Sequence, residues 1–194
     1  MVWTSGVDVK RGVYKICATV VYISPETGLQ KLTSRGRSLW EHPRSDLRQR
    51  IGSLVAGHDR QLTDVITNVA NAYGMVFQII DDVLDIVATD EQLGKPAGHD
   101  LEEGVYTLPV LLTLSHDSAE SRELFDLLGS PLTAKERTKA LKIVRNGPGL
   151  SAALDSARDY AALAEAECSK LPAGAATDAL RRAPRALLDS LVDF

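Results

Sequence analysis

The amino-acid sequence predicts an all-α fold from about residue 46 onward, and three observations carry that expectation. From Leu62 to Val87, apolar side chains recur on one stripe at helical spacing. Thr133-Ala134-Lys135-Glu136 has the T-x-x-E form of a capping box, and Asn146-Gly147-Pro148-Gly149 stops the helix it opens. From Leu150 to Lys170, the residues Leu150, Ala153, Leu154, Ala157, Ala161 and Ala164 share one face that suits close helix packing.

Taken in order, the chain opens on a segment unlike the rest. Val13 to Ile23 is rich in β-branched and aromatic residues and leads into the turn-like Ser24-Pro25-Glu26-Thr27-Gly28, so a hairpin or a disordered arm is expected. Thr33 to Arg37 and His42 to Ser45 read as a solvated linker, with Trp40 an isolated aromatic. Residues 1–45 are accordingly expected to be a rearranged or mis-started segment rather than a domain, and residues 46–194 a helical domain. The long helix carries Leu62, Ile66, Val69, Tyr73, Val76, Phe77, Ile80, Leu84 and Val87 on its core-facing stripe. Thr107 reads as the N-cap of the next core helix, with Pro109 tolerated in its first turn, and that helix runs to about Ser115. Ala119 to Leu128 follows, then the capping-box helix and the Leu150 to Lys170 helix. Pro172 and Gly174 separate off a last segment to Phe194, which Pro184 is expected to interrupt.

Composition narrows the function classes. At 194 residues and 44% hydrophobic, the chain can bury one sizeable core. A net charge of −4 argues against a nucleic-acid binder, which needs a basic face. No apolar stretch reaches the ~18 residues of a membrane span, and no signal-peptide layout is present, so a cytoplasmic location is expected. Cys17 and Cys168 form no ligand cluster or disulfide framework and read as reduced thiols. His58, His99 and His116 have no partner at metal-ligand spacing.

The chemistry concentrates in Asp81-Asp82-Val83-Leu84-Asp85, three carboxylates in five residues of a mostly apolar helix. At about 100° per residue, Asp81 and Asp85 lie about 40° apart, in line with Thr67, Gly74 and Gln78, on a narrow polar seam. Two readings fit the bare D-D-x-x-D: a solvated acidic face, or hard oxygen ligands for a divalent cation. Mg²⁺ characteristically takes one or two carboxylates and completes its octahedron with water and phosphate oxygens. Nine residues on, Gly94-Lys95-Pro96-Ala97-Gly98-His99-Asp100 supplies a permissive backbone, a fixed cation and another acid. That segment reads either as a phosphate clamp or as an ordinary turn with a solvated lysine.

Together, the string Gly74 to Asp85, then Gly94-Lys95-Pro96, Asp100-Leu101 and Thr107-Leu108-Pro109, resembles the trans-type polyprenyl diphosphate synthases, its first part matching their second aspartate-rich motif. The resemblance reaches from about Ile51 to the C-terminus and implies the last part of a longer enzyme, a truncated helical bundle of the isoprenoid synthase type. It further implies a Mg²⁺-dependent head-to-tail condensation of isopentenyl diphosphate with an allylic diphosphate. In that scheme Asp81, Asp82 and Asp85 hold Mg²⁺, Lys95 contacts diphosphate oxygens, Phe77 lines the pocket beside the prenyl chain, and Gln78 faces the reacting substrates. No protein nucleophile is needed.

The chain departs from the family in having no D-D-x-x-D upstream of residue 81, no Lys-Thr pair ahead of Gly52-Ser53-Leu54, and Val105 where many relatives carry lysine. Half of the family's metal site is therefore absent. A homodimer, or a heteromer with a full-length synthase, is the expected assembly. The alternative is a catalytically silent helical subunit or regulatory partner. A terpene cyclase relative would share the ionisation chemistry, but the Gly94-Lys95-Pro96 and Thr107-Leu108-Pro109 context favours chain elongation.

Overall fold

In the computed structural model the described residues are 13–16, 19–24, 28–32, 50–89, 92, 97–102, 104–128 and 132–193, the first three stretches by backbone alone. Those stretches are strands β1 (Val13–Ile16), β2 (Thr19–Ser24) and β3 (Gly28–Leu32), ordered β1-β2-β3 in one sheet. Both pairings are antiparallel, with Ile16 opposite Thr19 and Ser24 opposite Gly28. The β-branched run that suggested extended backbone supplies β1 and β2. The linker with Trp40 lies outside the described residues.

Everything described after residue 49 is helix and connection. Helix α1 covers residues 50–55. It ends where Gly57 adopts φ +75°: the Gly57 N–H donates to Leu54 O at 3.1 Å and the His58 N–H to Ser53 O at 3.1 Å, the paired bonds of a Schellman stop. Asp59 then opens α2 (Arg60–Val87), its Oδ1 accepting the Leu62 N–H at 2.8 Å. The remaining helices are α3 (His99–Glu102), α4 (Leu108–Leu114), α5 (Ala119–Leu127), α6 (Ala134–Asn146), α7 (Pro148–Cys168) and α8 (Ala175–Asp189), with a final 3₁₀ turn at Ser190–Asp193.

The local signals for these elements are the ones read from the sequence, with two departures. Thr133 and Glu136 form the reciprocal capping box of α6. Thr107 occupies the N-cap of α4 by backbone geometry, without a side-chain bond. α7 begins two residues earlier than Leu150, because Pro148 is pre-organised for the first helical position. Pro184, expected to interrupt the last segment, lies inside an unbroken α8 and is fully buried. A proline ring packed in the interior can offset the backbone bond it removes, and local sequence does not reveal that packing.

Two compact units emerge: the described residues within 1–35 together with 82–153, and those within 36–81 together with 154–194. In the first, a core of Ile86, Leu101, Tyr106, Val110, Leu124 and Val144 joins the end of α2 to α3, α4, α5 and α6. Tyr106 is buried there, and its hydroxyl donates to Leu128 O at 2.7 Å. Gly149 permits the close approach of α7 to α4, since a Cβ at that position would lie 2.2 Å from Thr113 Oγ1 and 2.3 Å from Pro109 O. In the second unit, Ser53 and Thr63 share a buried hydroxyl bond of 2.9 Å, and Arg185 pairs with Glu165 at 3.0 Å. Ala157, Ala161, Ala164 and Cys168 form the buried face of α7 there.

Candidate functional site

The acidic motif occupies the last two turns of α2, and its three carboxylates do not share one environment. Asp81 is exposed, whereas Asp82 and Asp85 are each 4% exposed. The reason lies in how α2 is covered. Its most deeply buried positions, Ala72, Val76, Ile79, Val83 and Ile86, alternate in steps of four and three, and Asp82 falls beside them. This buried stripe is rotated from the one read in the sequence, which does not include Ile79, Val83 or Ile86. Phe77, read as a core position, is 54% exposed. Gly74 and Gln78 are half-buried, so Gly74, Phe77, Gln78 and Asp81 mark a partly open strip along the helix.

Asp85 is on the same side as Asp81 but is covered by returning chain. The Gly98 N–H donates to the Asp85 backbone carbonyl at 2.8 Å, and the Asp100 N–H donates to Asp85 Oδ2 at 3.3 Å. The turn that makes these bonds is itself well fixed. Leu101 is buried, and Glu102 pairs with Arg137 at 2.8 Å. Gly104, at φ +73°, closes α3, its N–H donating to Leu101 O at 3.2 Å while the Val105 N–H donates to Asp100 O at 2.7 Å. Lys95, the sequence-predicted diphosphate contact, lies outside the described residues, as do Gly94 and Pro96.

Sequence reasoning missed a second support for this end of α2. Arg145 of α6 donates from Nε to Ile86 O at 2.5 Å and from Nη2 to Ala88 O at 3.4 Å. A guanidinium on terminal carbonyls satisfies acceptors that have no partner within their own helix and meets the negative end of the dipole. Sequence separations of 59 and 57 leave no local signal for the contact. The anchoring of the Gly98 to Asp100 turn on Asp85 was likewise unread, although Gly98 in the Gly-Lys-Pro segment hinted at a tight turn.

Among the described residues, no group of three or more His, Cys, Asp or Glu side chains is arranged to hold a metal ion. A cage of three converging carboxylates is thus not built into the motif. An exposed Asp81 on a half-open strip does fit the sparser ligation that Mg²⁺ uses, in which water and phosphate oxygens fill most positions. A surface hollow of about 600 Å³ between α5 and α6, lined by Glu120, Glu123, Asp126, Glu136 and Lys139 among others, contains none of the sequence-predicted site residues. Among the described residues no helix is long and apolar enough to cross a membrane.

Comparison with known proteins places this architecture. The polyprenyl synthetase family model matches residues 46–144. The chain is 34% identical over 124 residues to the nonaprenyl diphosphate synthase of Mycobacterium tuberculosis, covering 63% of this chain and 37% of that enzyme. It is 30% identical over 130 residues to heptaprenyl diphosphate synthase component 2 of Bacillus subtilis, covering 67% of this chain and 37% of that protein. Among solved structures, geranylgeranyl pyrophosphate synthase from Corynebacterium glutamicum, complexed with calcium and isoprenyl diphosphate, matches with TM-score 0.66 and 35% identity over 73% of this chain and 44% of its own. Polyprenyl synthase from Caulobacter crescentus, in a complex of the same kind, matches with TM-score 0.70 and 29% identity over 76% of this chain and 45% of its own. The chain therefore spans under half the length of these relatives. With its helical architecture from residue 50 onward and its ordered motifs, it belongs to the polyprenyl synthetase family.

Proposed function

We propose that this chain is the allylic-diphosphate-binding part of a polyprenyl diphosphate synthase, serving the condensation of isopentenyl diphosphate with an allylic diphosphate. The observation that carries the reading is the strip on α2 where Asp81 stays open beside Phe77 and Gln78 while the neighbouring Asp82 and Asp85 are buried. An apolar ring left 54% exposed next to a carboxylate suits a substrate with a hydrocarbon tail and an anionic head. The two relatives crystallised with calcium and isoprenyl diphosphate support the same pairing of cation and diphosphate.

In this mechanism Asp81 is the carboxylate that would hold Mg²⁺, and Asp82 and Asp85 would add negative potential from within the helix end. The ion, when bound, supplies positive charge against the diphosphate. Phe77 packs along the prenyl chain and keeps water from the allylic carbon, and Gln78 orients the reacting ends. Lys95 contributes a point charge to the diphosphate oxygens, whose negative charge grows as the C–O bond breaks.

A further feature of this proposal is that turnover takes place in an assembly with a partner, either a second copy or a full-length synthase. Resemblance to a protein named as component 2 of a heptaprenyl synthase supports an assembly of this kind. The second reading, a catalytically silent subunit of such an assembly, draws on the same resemblance. The two are separated by incubating the chain with isopentenyl and farnesyl diphosphates, alone and with a full-length homologue, and then repeating with Asp81, Asp82 and Asp85 all replaced by Asn. Elongated product that depends on the three aspartates supports the enzyme. Product that is unchanged by their replacement, with the partner still bound, supports the silent subunit.

A further inference from the structure

We infer that Arg145 is a positioning residue for the acidic motif: its guanidinium, held on the carbonyls of Ile86 and Ala88, keeps the last turn of α2 wound before any metal ion arrives. For its consequence this rests on the proposed function, in which Asp81, Asp82 and Asp85 serve Mg²⁺. The need for such a residue follows from where the motif sits. All three carboxylates lie in the last two turns of α2, at the negative end of the helix dipole, where added negative charge destabilises a helix. Asp81 and Asp85 also repel one another at i,i+4. No basic residue in the last turn of α2 offsets this.

The compensating charge comes from α6 instead. Nε of Arg145 donates to Ile86 O at 2.5 Å and Nη2 to Ala88 O at 3.4 Å, so one planar fork spans two carbonyls at the helix terminus. Its support is firm, since Ala140, Leu141 and Val144 of α6 are buried in the same core as Ile86. Arg145 itself is exposed, so these bonds rather than packing carry its role. The turn they secure contains part of the motif: the Ala88 N–H donates to Leu84 O at 3.0 Å, and the ring closed by that bond encloses Asp85. Asp82, buried like Asp85, lies one turn earlier. Unwinding backward from Ala88 therefore displaces Asp85 first and reaches Asp82 next. A guanidinium stays charged and is part of the chain, so the helix end has a permanent cation of its own and is formed before an exchangeable one binds.

Electrostatics alone and positioning predict opposite signs when this charge is removed. Loss of a positive group near the motif would tighten a cation, whereas unwinding weakens it, because apparent affinity is reduced by the fraction of molecules with the turn formed. Arg145→Met removes the charge, and Arg145→Lys keeps it without the fork. The readouts are amide hydrogen exchange at Ala88 and calorimetric binding of a non-hydrolysable allylic thiolodiphosphate with Mg²⁺. Exchange at Leu128, whose N–H donates to Leu124 O at 3.0 Å at the end of α5, is the control. The expected result in R145M is Ala88 exchange near that of an unstructured amide, unchanged exchange at Leu128, and affinity lowered by about fivefold or more. Saturating analogue and Mg²⁺ should restore Ala88 protection, and R145K should fall between R145M and the unaltered chain. If the unaltered chain binds the analogue and R145M binds it as well or better, the positioning role alone is overturned. Equal acceleration at Ala88 and Leu128 overturns it too, since the loss of stability would then be general. If the unaltered chain binds no analogue, the proposed function fails and the positioning role with it. Should R145M not fold, R145K decides: affinity and Ala88 exchange equal to those of the unaltered chain contradict the fork.

Discussion

Replacing Gly149 with Ala should be among the most damaging single-methyl additions in this chain. The new Cβ would sit 2.2 Å from Thr113 Oγ1, 2.3 Å from Pro109 O and 2.4 Å from Thr113 N. Each contact must open by about 1 Å or more to reach ordinary carbon contact distances. Two of the three atoms are backbone, so a rotamer change cannot relieve them and the start of α7 must shift away from α4. Overpacking costs about 1–3 kcal/mol and more when backbone must move, while the gain in helix propensity returns at most about 1 kcal/mol, leaving a net loss of about 2–3 kcal/mol. At ~2–4 °C per kcal/mol for a chain of this size, thermal unfolding followed by circular dichroism should fall by about 4–12 °C. Gly52 provides the control, being helical with nothing within 4 Å of an added Cβ, and its alanine variant should melt at or above the parent. Adding Thr113→Ala to Gly149→Ala should restore little, because Pro109 O and Thr113 N remain. A G149A variant as stable as the parent, or full recovery in the double variant, would refute the packing described for α4 and α7.

Two other substitutions and one labelling experiment probe the same framework. Thr133→Ala removes the capping box of α6 and should lower the melting temperature by about 2–4 °C near neutral pH. Its pH dependence has a definite sign. The Thr133 hydroxyl and then its backbone N–H hold the Glu136 carboxyl below the usual carboxylate range, so the box stabilises fully above that range and is lost as pH falls through the lowered value. The difference between parent and variant should therefore shrink in acid. Tyr106→Phe strips the hydroxyl that donates to Leu128 O at 2.7 Å and should cost about 1–2 kcal/mol by urea titration, with the m-value unchanged. Burial pushes the Cys168 thiol up, so that residue should resist an aromatic disulfide reagent until the chain is unfolded, as peptide mapping of the labelled protein would reveal.

The helices were legible wherever a local rule determines them. Thr133-Ala134-Lys135-Glu136 announces its capping box because every partner lies within one turn, and Asn146-Gly147 ends α6 at the expected residue. The alanine face of α7 is visible in the spacing of Ala153, Ala157, Ala161 and Ala164, all of them buried. What the sequence hid was decided by distant chain. Asp85 looks equivalent to Asp81 on a helical projection, yet a turn arriving from residues 98–100 buries one and leaves the other open. Arg145 looks like an ordinary basic residue in the last turn of α6 until its guanidinium meets Ile86 O. Phe77 fits the apolar stripe by spacing alone, and only the covering of α2 distinguishes it from Val76 beside it. Pro184 obeys a rule about helix breaking that the buried surroundings of its ring override.

The account turns on Asp81 as the open carboxylate that meets a cation-bound diphosphate. Calorimetric titration of the chain with the allylic thiolodiphosphate, in Mg²⁺ and in chelator, and again with Asp81→Asn, tests this most directly. The expected result is binding that needs Mg²⁺ and weakens by about tenfold or more in D81N, as loss of one ligand charge at a hard cation requires. Binding of equal strength in chelator, or unchanged affinity in D81N, would contradict it.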